Sequence, residues 1–281
     1  MIIAVTGSSG FIGKRLVKAL ENRNHTILRL DITEGFDILD FTQLAHLPDF
    51  EACIHLAANS FVPNSYECPR AFYHLNLNGV INMLEICRIK HARFIFSSSY
   101  VYGVPQSLPI REDHPLKGFN PYAETKIMGE ILCENYFRYF KVPAIVLRPF
   151  NVYGIGQKPD FLIPMILKQA ETGTVKLLDP NPKRDYIYID DVVDAFVKAV
   201  EMKNANFCQF NVGSGKSYSV SEVVEIANSC YHHTLHITYE NHKRINEVDD
   251  TVADISTISK ILNWKPAIDL PAGIKKLINP T

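Results

Sequence analysis

Short apolar segments alternate with longer amphipathic ones through the first half of the chain. The apolar segments are rich in β-branched residues, as buried strands are, and they predict strands over residues 1–6, 26–31, 52–57, 93–98 and 143–148. The amphipathic segments predict helices near residues 11–22, 69–90 and 121–140. Strands that alternate with helices in this way predict an α/β fold: a doubly wound parallel sheet with helices on both faces.

The alternation loosens in the second half of the chain. Helices are predicted over residues 161–172 and 219–230. Between them, residues 185–200 are predicted to form a strand that passes into a helix, with Asp190 or Asp191 as its N-cap. These pieces do not continue one regular repeat, so we expect part of this region to form a small lobe over the strand ends.

Three glycines follow the first predicted strand and open the first predicted helix: Gly7, Gly10 and Gly13. Their spacing permits a tight turn and lets the backbone approach a pyrophosphate bound at the helix N-terminus, where N–H groups are unpaired. Asp31 ends the second predicted strand, where a carboxylate can accept hydrogen bonds from ribose hydroxyls and would repel a 2′-phosphate. The order of these features predicts a site for NAD(H) and disfavours NADP(H).

Ser98, Tyr122 and Lys126 suggest proton transfer. Ser98 ends a predicted strand, and if Pro121 opens a helix, Tyr122 and Lys126 share one face of it. A lysine cation beside a phenol would stabilise the phenolate and lower the pKa of Tyr122. Such a group can move a proton on or off an alcohol while a hydride is transferred. The alternative is a chance tyrosine–lysine pair on a helix surface.

The sequence resembles the extended short-chain dehydrogenases/reductases that act on nucleotide-sugars, and the resemblance covers nearly the whole chain. Its marks are Gly7-x-x-Gly10-x-x-Gly13, Asp37-Ile38, His55-Leu56-Ala57-Ala58, Asn76, Ser97-Ser98-Ser99, Val101-Tyr102-Gly103, Tyr122-x-x-x-Lys126, Arg148-Pro149-Phe150-Asn151, Arg184-Asp185-Tyr186, Asn211-Val212-Gly213 and Trp264-Lys265-Pro266. The resemblance implies an NAD-binding Rossmann domain over residues 1–154, with returns to its sheet near 183–213. Residues 155–182 and 214–281 would then form the substrate-binding lobe.

The resemblance also implies a role for each site residue. Tyr122 would be the acid/base, Lys126 would bind the nicotinamide ribose, and Ser98 is the catalytic serine when counted back from Val101. The cofactor-binding residues would be Gly7, Gly10, Phe11, Ile12, Gly13, Asp31, Asp37, Ile38, Leu56, Ala57, Ala58, Asn76, Tyr122, Lys126 and Phe150. The substrate-binding residues would be Ser98, Ser99, Tyr100, Asn151, Arg184 and Arg244, with the two arginines on the diphosphate of a nucleotide-sugar.

Each assignment has a simpler alternative. Ser99 could satisfy backbone groups at the strand end, and Asp37 could be a loop acid beside a core isoleucine. Asn76 could be an exposed helix amide, and Arg184 and Arg244 could be surface arginines. Tyr100 stands near the place where similar dehydratases carry an acid, which disfavours sugar dehydration.

The resemblance implies redox chemistry at C4 of a nucleoside-diphosphate hexose by an NAD-dependent enzyme, and a part in polysaccharide biosynthesis. We expect a 4-epimerase, in which hydride leaves C4 and returns to its other face. The alternative is an NADH-dependent 4-reductase of a nucleotide-linked 4-keto-6-deoxy sugar. A non-catalytic dinucleotide sensor is disfavoured by the intact Ser98, Tyr122 and Lys126, and a non-sugar ketone substrate by the two arginines.

The two longest predicted helices suggest a homodimer, because they carry more apolar residues than one buried stripe requires. In proteins similar to this one, the matching helices pair across a two-fold axis as a four-helix bundle. The alternative is that these residues only cover the sheet. The residues concerned are Ile81, Met83, Leu84, Ile86, Ile127, Met128, Ile131 and Leu132.

Composition narrows the classes of partner. The 281 residues have a net charge of −1 and are 47% hydrophobic, so we expect a large core and no nucleic-acid or anionic-membrane partner. No apolar stretch is long enough to span a bilayer, and no targeting leader is expected. The six cysteines form no C-x-x-C pair and the ten histidines show no metal-ligand spacing, so we expect no metal and a cytoplasmic location.

Overall fold

The computed structural model describes residues 1–203, 206–231, 234–242 and 247–279 and has a six-stranded parallel sheet at its centre. The strands are β1 Ile2–Thr6, β2 Thr26–Leu30, β3 Ala52–His55, β4 Arg93–Ser97, β5 Ala144–Pro149, β6 Asn151–Tyr153, β7 Thr174–Leu177, β8 Lys183–Tyr188, β9 Cys208–Val212, β10 Ser217–Ser219 and β11 His236–Tyr239. In the central sheet the order is β2-β1-β3-β4-β5-β9. The five strands predicted in the first half of the chain are therefore confirmed, with ends that differ by one or two residues.

Helices connect these strands. They are α1 Phe11–Glu21, α2 Phe41–Ala45, α3 Val62–Glu67, α4 Pro69–Ile89, α5 Pro121–Phe140, α6 Leu162–Ala170, α7 Ile189–Glu201, α8 Val220–Ser229, α9 Ser256–Leu262 and α10 Leu270–Ile278, with a 3₁₀ turn at Ile32–Glu34. The central strands are buried on both faces, so alternate side chains enter two different cores. One core joins the sheet to α1 and α7, and the other joins it to α4 and α5. Helices on both faces of a parallel sheet confirm the doubly wound α/β fold.

The parallel sheet brings the predicted site residues to one edge. Because β1 to β5 all point the same way, the segments that follow them meet at their carboxyl ends. Gly7, Asp31, Leu56, Ser98 and Phe150 each lie directly after one of these strands.

Two small sheets lie outside the central one. β8 pairs with β6 and β10, and β7 pairs in parallel with β11, which joins the two stretches predicted as the lobe. Apolar side chains of α6, α8 and α10 pack in the same core as those of α7. The division into a Rossmann domain and a substrate-binding lobe stays a prediction.

The predicted N-cap of α7 is wrong. The helix begins after Tyr188, which makes no side-chain cap, and both candidate aspartates lie in its first turn. The Asp191 carboxylate instead accepts hydrogen bonds from the backbone nitrogens of Ala267 (2.9 Å) and Ile268 (3.0 Å), while the Asp191 carbonyl accepts from the buried indole of Trp264 (3.1 Å). Asp191 therefore fixes the C-terminal segment against α7.

The two long helices have mixed outer surfaces. Met83, Leu84 and Ile86 of α4 are fully buried, whereas Ile81 is 38% exposed. On α5, Met128 and Ile131 are also exposed, while Ile127 and Leu132 are partly buried. Some of the apolar residues assigned to a dimer contact therefore cover the sheet and others face outward. Within the described ranges, no helix combines the length and apolar content needed to cross a membrane.

Candidate active site

The loop between β1 and α1 needs glycine for steric reasons. Gly7 has φ +67°, and a Cβ there would lie 2.9 Å from the Ala57 nitrogen. A Cβ on Gly13 would lie 2.1 Å from the Gly7 oxygen, so only glycine lets the helix approach the turn this closely. Phe11 and Ile12 pack against the core behind the loop.

The start of α1 fits a pyrophosphate. Gly10 is its N-cap and supplies no side-chain hydrogen bond, and its first turn carries no acidic residue. Within the described part of the chain, the buried Ser8 hydroxyl has no hydrogen-bond partner. The backbone N–H groups at this helix start have no side-chain cap and lie beside an unpaired serine hydroxyl. They therefore offer hydrogen-bond donors to an anion.

Asp31 lies beside this loop. Its carboxylate accepts hydrogen bonds from the Ser9 nitrogen (3.0 Å), the Thr33 nitrogen (3.0 Å) and the Thr33 hydroxyl (2.7 Å). Burial raises the pKa of Asp31, but the hydrogen bonds from Thr33 and Ser9 outweigh it and hold the pKa below its ordinary value. The position and charge suit a ribose, and they oppose a 2′-phosphate.

Asp37 and Ile38 lie near α4. The Ile38 side chain is buried, and its carbonyl accepts a hydrogen bond from Asn82 (2.9 Å). The Asp37 carboxylate accepts one from the Leu39 nitrogen (2.9 Å). Both the adenine-binding role and the simpler alternative fit these contacts, so the role of this pair stays a prediction.

The segment after β3 is held from two sides. The Thr6 hydroxyl accepts hydrogen bonds from the nitrogens of Leu56 (3.1 Å) and Ala57 (3.2 Å). Just beyond Ala58, the Asn59 backbone donates to the Asn76 amide oxygen (2.9 Å) and accepts from the Asn76 amide nitrogen (3.1 Å). Asn76 is only 3% exposed, so the alternative of an exposed helix amide is wrong.

Tyr122 and Lys126 lie on the first turns of α5. Asn120 caps this helix by accepting a hydrogen bond from the Ala123 nitrogen (2.8 Å), and Pro121 opens it as expected. The Lys126 ammonium donates to the Ser97 carbonyl at 2.8 Å and lies 5.8 Å from the centre of the Tyr122 ring. Because Lys126 is 4% exposed and reaches the end of β4, the alternative of a surface pair is wrong.

The pKa of Tyr122 differs from the sequence-based expectation. Burial raises it above its ordinary value, and a hydrogen bond with the Ser99 hydroxyl opposes that rise. Burial also lowers the pKa of Lys126 to about 8, while the nearby Glu130 carboxylate acts in the opposite direction. The expected lowering of the Tyr122 pKa by Lys126 is therefore not found, because desolvation of the phenol dominates.

The three serines after β4 have different partners. The Ser97 carbonyl accepts a hydrogen bond from Lys126, and Ser99 acts against the rise in the pKa of Tyr122. The Ser98 hydroxyl, predicted to be catalytic, donates to the Glu130 carboxylate instead. The catalytic role of Ser98 stays a prediction.

Sequence analysis missed Glu130, which lies beneath this site. Arg148 donates to both of its carboxylate oxygens, at 2.6 to 3.2 Å, and both side chains are almost fully buried. The Arg148 guanidinium also donates to the Tyr102 hydroxyl (2.8 Å) and the Glu112 carbonyl (2.9 Å). The available signal was an acid four residues after Lys126, on the same helix face as Tyr122.

Aromatic residues line the next part of the site. The Tyr100 hydroxyl donates to the Gly103 carbonyl (2.5 Å), and its ring meets those of Phe150 and Phe119 edge-on, with centroids 5.4 and 5.9 Å apart. The Asn151 amide donates to the Asp185 carbonyl (3.2 Å). These contacts place Tyr100 after β4, and Phe150 and Asn151 after β5, at the carboxyl ends of the strands. The roles of these three residues stay predictions.

Arg184 is engaged with the protein itself. Its guanidinium forms an ion pair with Glu247 and donates to the Val248 carbonyl (2.6 Å). Its side chain is 21% exposed, so it is not a freely solvated surface arginine. Burial raises the pKa of Tyr100 above its ordinary value, and the charge of Arg184 acts in the opposite direction. Arg244 lies outside the described residues.

Possible metal ligands were compared among the residues that the structure describes. Among them, no group of three or more histidine, cysteine, aspartate or glutamate side chains is arranged to hold a metal ion. Cys53, Cys87 and Cys133 are buried in the core between the sheet and α4 and α5, while Cys68 is exposed.

The sequence of this chain is similar to that of a known protein family and of several named proteins. The model described as the NAD dependent epimerase/dehydratase family matches residues 3–213. A provisionally named UDP-glucose 4-epimerase of Methanocaldococcus jannaschii is 33% identical, with 99% of this chain and 97% of that protein aligned. A GDP-6-deoxy-D-mannose reductase of Pseudomonas aeruginosa is 28% identical, with 98% and 95% aligned.

Solved structures share the fold. The crystal structure of a UDP-glucose 4-epimerase with UDP-glucose from Thermotoga maritima superposes with a TM-score of 0.89 at 26% identity. The superposition covers 99% of this chain and 97% of that one.

Proposed function

The chain belongs to the NAD-dependent epimerase/dehydratase family, and we propose that it is a nucleotide-sugar 4-epimerase in which Tyr122 moves the proton of the C4 hydroxyl. One observation carries this proposal above the others. The buried ammonium of Lys126 lies beside the ring of Tyr122 and donates to the Ser97 carbonyl, directly before Ser98 and on the same edge of the sheet as the glycine loop. A binding protein without turnover would not need this set.

The cofactor site is built by this chain's own groups. The loop from Gly7 to Gly13 and the start of α1 would hold the pyrophosphate, and Asp31 the adenine-side ribose. Leu56 to Ala58, fixed by Thr6 and Asn76, would form the wall beside the cofactor, with Phe150 on the far side. When bound, NAD supplies a hydride acceptor and donor for one carbon of the sugar.

Proton transfer rests on Tyr122. As phenolate it would take the proton of the C4 hydroxyl, and as phenol it would return a proton to the 4-keto oxygen after the sugar has turned over. The Lys126 cation favours the phenolate once both face the same ligand, and a serine hydroxyl holds the reacting oxygen. Epimerisation needs no other acid or base, which agrees with Tyr100 in the place of a dehydratase acid.

A 4-keto-6-deoxysugar reductase is the second candidate. It would use the same residues but would consume NADH once for each product. The reductase of Pseudomonas aeruginosa is among the similar proteins. The alignment with the Methanocaldococcus jannaschii protein runs over 305 positions, more than the 281 residues of this chain, so that relative has residues without a counterpart here. The alignment with the reductase also exceeds this chain, at 293 positions, so length does not separate the two candidates. A compact substrate lobe would favour the reductase, because a reductase needs no room for the sugar to turn.

We propose that the substrate lies between Tyr100, Asn151 and Arg184, with its diphosphate at Arg184, and the role of Arg244 stays a prediction. A cytoplasmic location and a part in polysaccharide biosynthesis stay predictions. A first experiment measures whether the purified protein retains NAD and whether it converts UDP-glucose without added NADH. Tyr122→Phe should keep the cofactor and lose turnover by about 10²-fold or more. The control, Tyr139→Phe, changes an exposed tyrosine at the far end of α5 and should keep both.

A further inference from the structure

A chain of hydrogen bonds joins the segment from Leu56 to Asn59, beside the proposed cofactor site, to the helix that carries Tyr122. Asn76 of α4 stands in the middle of this chain. Its amide oxygen accepts from the Asn59 backbone nitrogen (2.9 Å), and its amide nitrogen donates to the Asn59 carbonyl (3.1 Å) and the Thr125 hydroxyl (2.9 Å). The Thr125 hydroxyl then donates to the Tyr122 carbonyl at 2.7 Å. The chain therefore connects the segment after β3 to the start of α5 by way of α4.

The direction of each hydrogen bond is fixed by the backbone groups at the ends of the chain. A backbone N–H only donates, so the Asn76 atom that meets the Asn59 nitrogen is its amide oxygen. The two amide protons of Asn76 then go to the Asn59 carbonyl and to Thr125. Because the Thr125 hydroxyl accepts from Asn76, its own proton goes to the Tyr122 carbonyl. Asn76 and Thr125 are only 3% and 1% exposed, so a lost contact would leave a buried polar group unpaired.

The contacts of Thr125 differ from those of an ordinary hydroxyl on a helix. A serine or threonine that bonds a carbonyl of the preceding turn is common. Ser65 of α3 is an example, because it is fully buried and its hydroxyl donates to the Val62 carbonyl at 2.6 Å. Within the described ranges, that bond is the one found for the Ser65 hydroxyl. Thr125 also accepts a hydrogen bond from another helix, which makes it a cross-link between α4 and α5.

The segment after β3 is held without the help of Thr125. Thr6 binds the backbone nitrogens at its start, and Asn76 binds both backbone groups of Asn59 at its end. Thr125 contacts neither of these attachment points except through the second amide proton of Asn76. Loss of the Thr125 hydroxyl would therefore release the turn of α5 that carries Tyr122 and leave the segment beside the cofactor in place.

We propose that Thr125 is a positioning residue for Tyr122: its link to Asn76 fixes the start of α5 against the segment after β3 and so sets the distance between the phenol and the bound cofactor. This inference deepens the proposed function and rests on it. Proton and hydride transfer act on the same C–OH group of the sugar, so the phenol and the cofactor must be in register with each other. A displacement of about 1 Å between reacting groups can cost on the order of 10²-fold in rate.

The first test changes Thr125 alone. Thr125→Val keeps the shape of the side chain and removes the hydroxyl, so kcat should fall by about tenfold or more, while the affinity for NAD(H), measured by titration calorimetry, should hardly change. Thr125→Ser keeps the hydroxyl and should restore most of the rate. The control, Ser65→Ala, removes a buried hydroxyl that bonds only its own helix and should keep both values. An unchanged kcat in Thr125→Val, or an equal loss in Thr125→Ser, would overturn the proposal.

The second test shows whether Thr125 acts through Asn76. Asn76→Ala releases Asn59 as well as Thr125, so it should lower both kcat and the affinity for NAD(H). Adding Thr125→Val to Asn76→Ala should then lower kcat little further, because residues of one network do not contribute independently. Losses that multiply would show that Thr125 acts without Asn76 and would overturn the proposed link. If circular dichroism shows that Asn76→Ala does not fold, the Thr125 variants alone decide.

The third test needs no substrate. In protein with isotopically labelled asparagine, the side-chain amide signal of Asn76 is assigned by comparison with Asn76→Asp. Thr125→Val should shift this signal, because one amide proton loses its acceptor, whereas Thr125→Ser and Ser65→Ala should leave it nearly in place. An unshifted signal in Thr125→Val would contradict the link. If the signal shifts but the wild type converts no nucleotide-sugar, the proposed function fails while the link stands.

Discussion

Arg148 and Glu130 form an ion pair beneath the catalytic residues with side chains only 1% and 2% exposed. The guanidinium reaches the carboxylate at 2.6 Å and makes two further contacts with it at 3.0 and 3.2 Å. Burying two charges is costly unless geometry is good and the remaining groups are hydrogen-bonded. Here Ser98 donates to Glu130, while Tyr102 and the Glu112 carbonyl accept from Arg148.

We expect Glu130→Gln to lower the free energy of unfolding by about 3 kcal/mol or more, because it leaves the Arg148 charge buried without its partner. Chemical denaturation followed by circular dichroism measures this loss. The control is Glu134→Gln, one turn further along α5, where the pair with Arg138 is exposed. It should cost less than about 1 kcal/mol. If the two variants lost similar free energies of unfolding, burial of the Glu130–Arg148 pair would not explain the cost of breaking it.

Activity should fall as pH rises through the pKa of Lys126. Burial lowers that pKa to about 8, and a lysine is charged only below its pKa. If the cation supports the phenolate of Tyr122, kcat should be lost above about pH 8. Lys126→Arg keeps its charge at every accessible pH, so its activity, although lower, should lose this alkaline fall. A wild-type profile that stays flat through this pH would show that the charge is not needed.

The elements that carry the site could be predicted because their signals are local. The glycine loop follows a strand and opens a helix within thirteen residues, and the spacing of Tyr122 and Lys126 places both on one helix face. Short elements such as α2, α3, β6 and β10 were not predicted. They contain three to six residues, too few to show a period.

Partners distant in the chain could not be predicted. Ser98 and Glu130 are 32 residues apart, and Arg184 and Glu247 are 63 apart. Spacing shows which residue types stand in a motif, but the acceptor of each hydroxyl or guanidinium depends on how the elements pack. The pKa of Tyr122 was expected to fall but is raised, because the phenol is buried. Burial depends on how the elements pack, which the spacing of residues does not show.

NAD(H) should bind at least roughly tenfold more tightly than NADP(H), because a 2′-phosphate would meet the charged Asp31 carboxylate. Asp31→Asn keeps an acceptor for Thr33 but removes the charge, and it should narrow this preference. Titration calorimetry with both cofactors measures it. Asp40→Asn, at the N-cap of α2, is the control and should leave the preference unchanged. Equal affinity of the wild type for both cofactors would contradict this role.

Arg184→Ala should raise KM for the nucleotide-sugar by more than about tenfold, the cost of losing a charge-assisted contact with the diphosphate. Affinity for NAD(H) should hardly change. Arg88→Ala, which removes an arginine paired with Glu85 on α4, is the control and should alter neither value. A loss of affinity for NAD(H) alone, with KM for the nucleotide-sugar unchanged, would show that Arg184 binds the cofactor and not the substrate.

We expect a homodimer formed by the outer faces of α4 and α5, where Ile131 is 52% exposed. Ile131→Glu should shift the protein to a monomer, because it places a charge in an isologous contact twice. The control, Ile261→Glu, changes a residue of similar exposure on α9 and should keep the dimer. Light scattering at micromolar concentration reads the mass, and a monomeric wild type would mean that these residues only cover the sheet.

The proposed epimerase is tested most directly with UDP-glucose carrying deuterium at C4. The purified protein, with NAD and without added NADH, should convert it to the C4 epimer, and the deuterium should remain at C4, because the hydride returns to the carbon that it left. Proton NMR of the nucleotide-sugar measures both outcomes in one sample. If no epimer forms while a nucleotide-linked 4-keto-6-deoxy sugar is reduced with one NADH consumed per product, the protein is the reductase and the epimerase assignment is wrong.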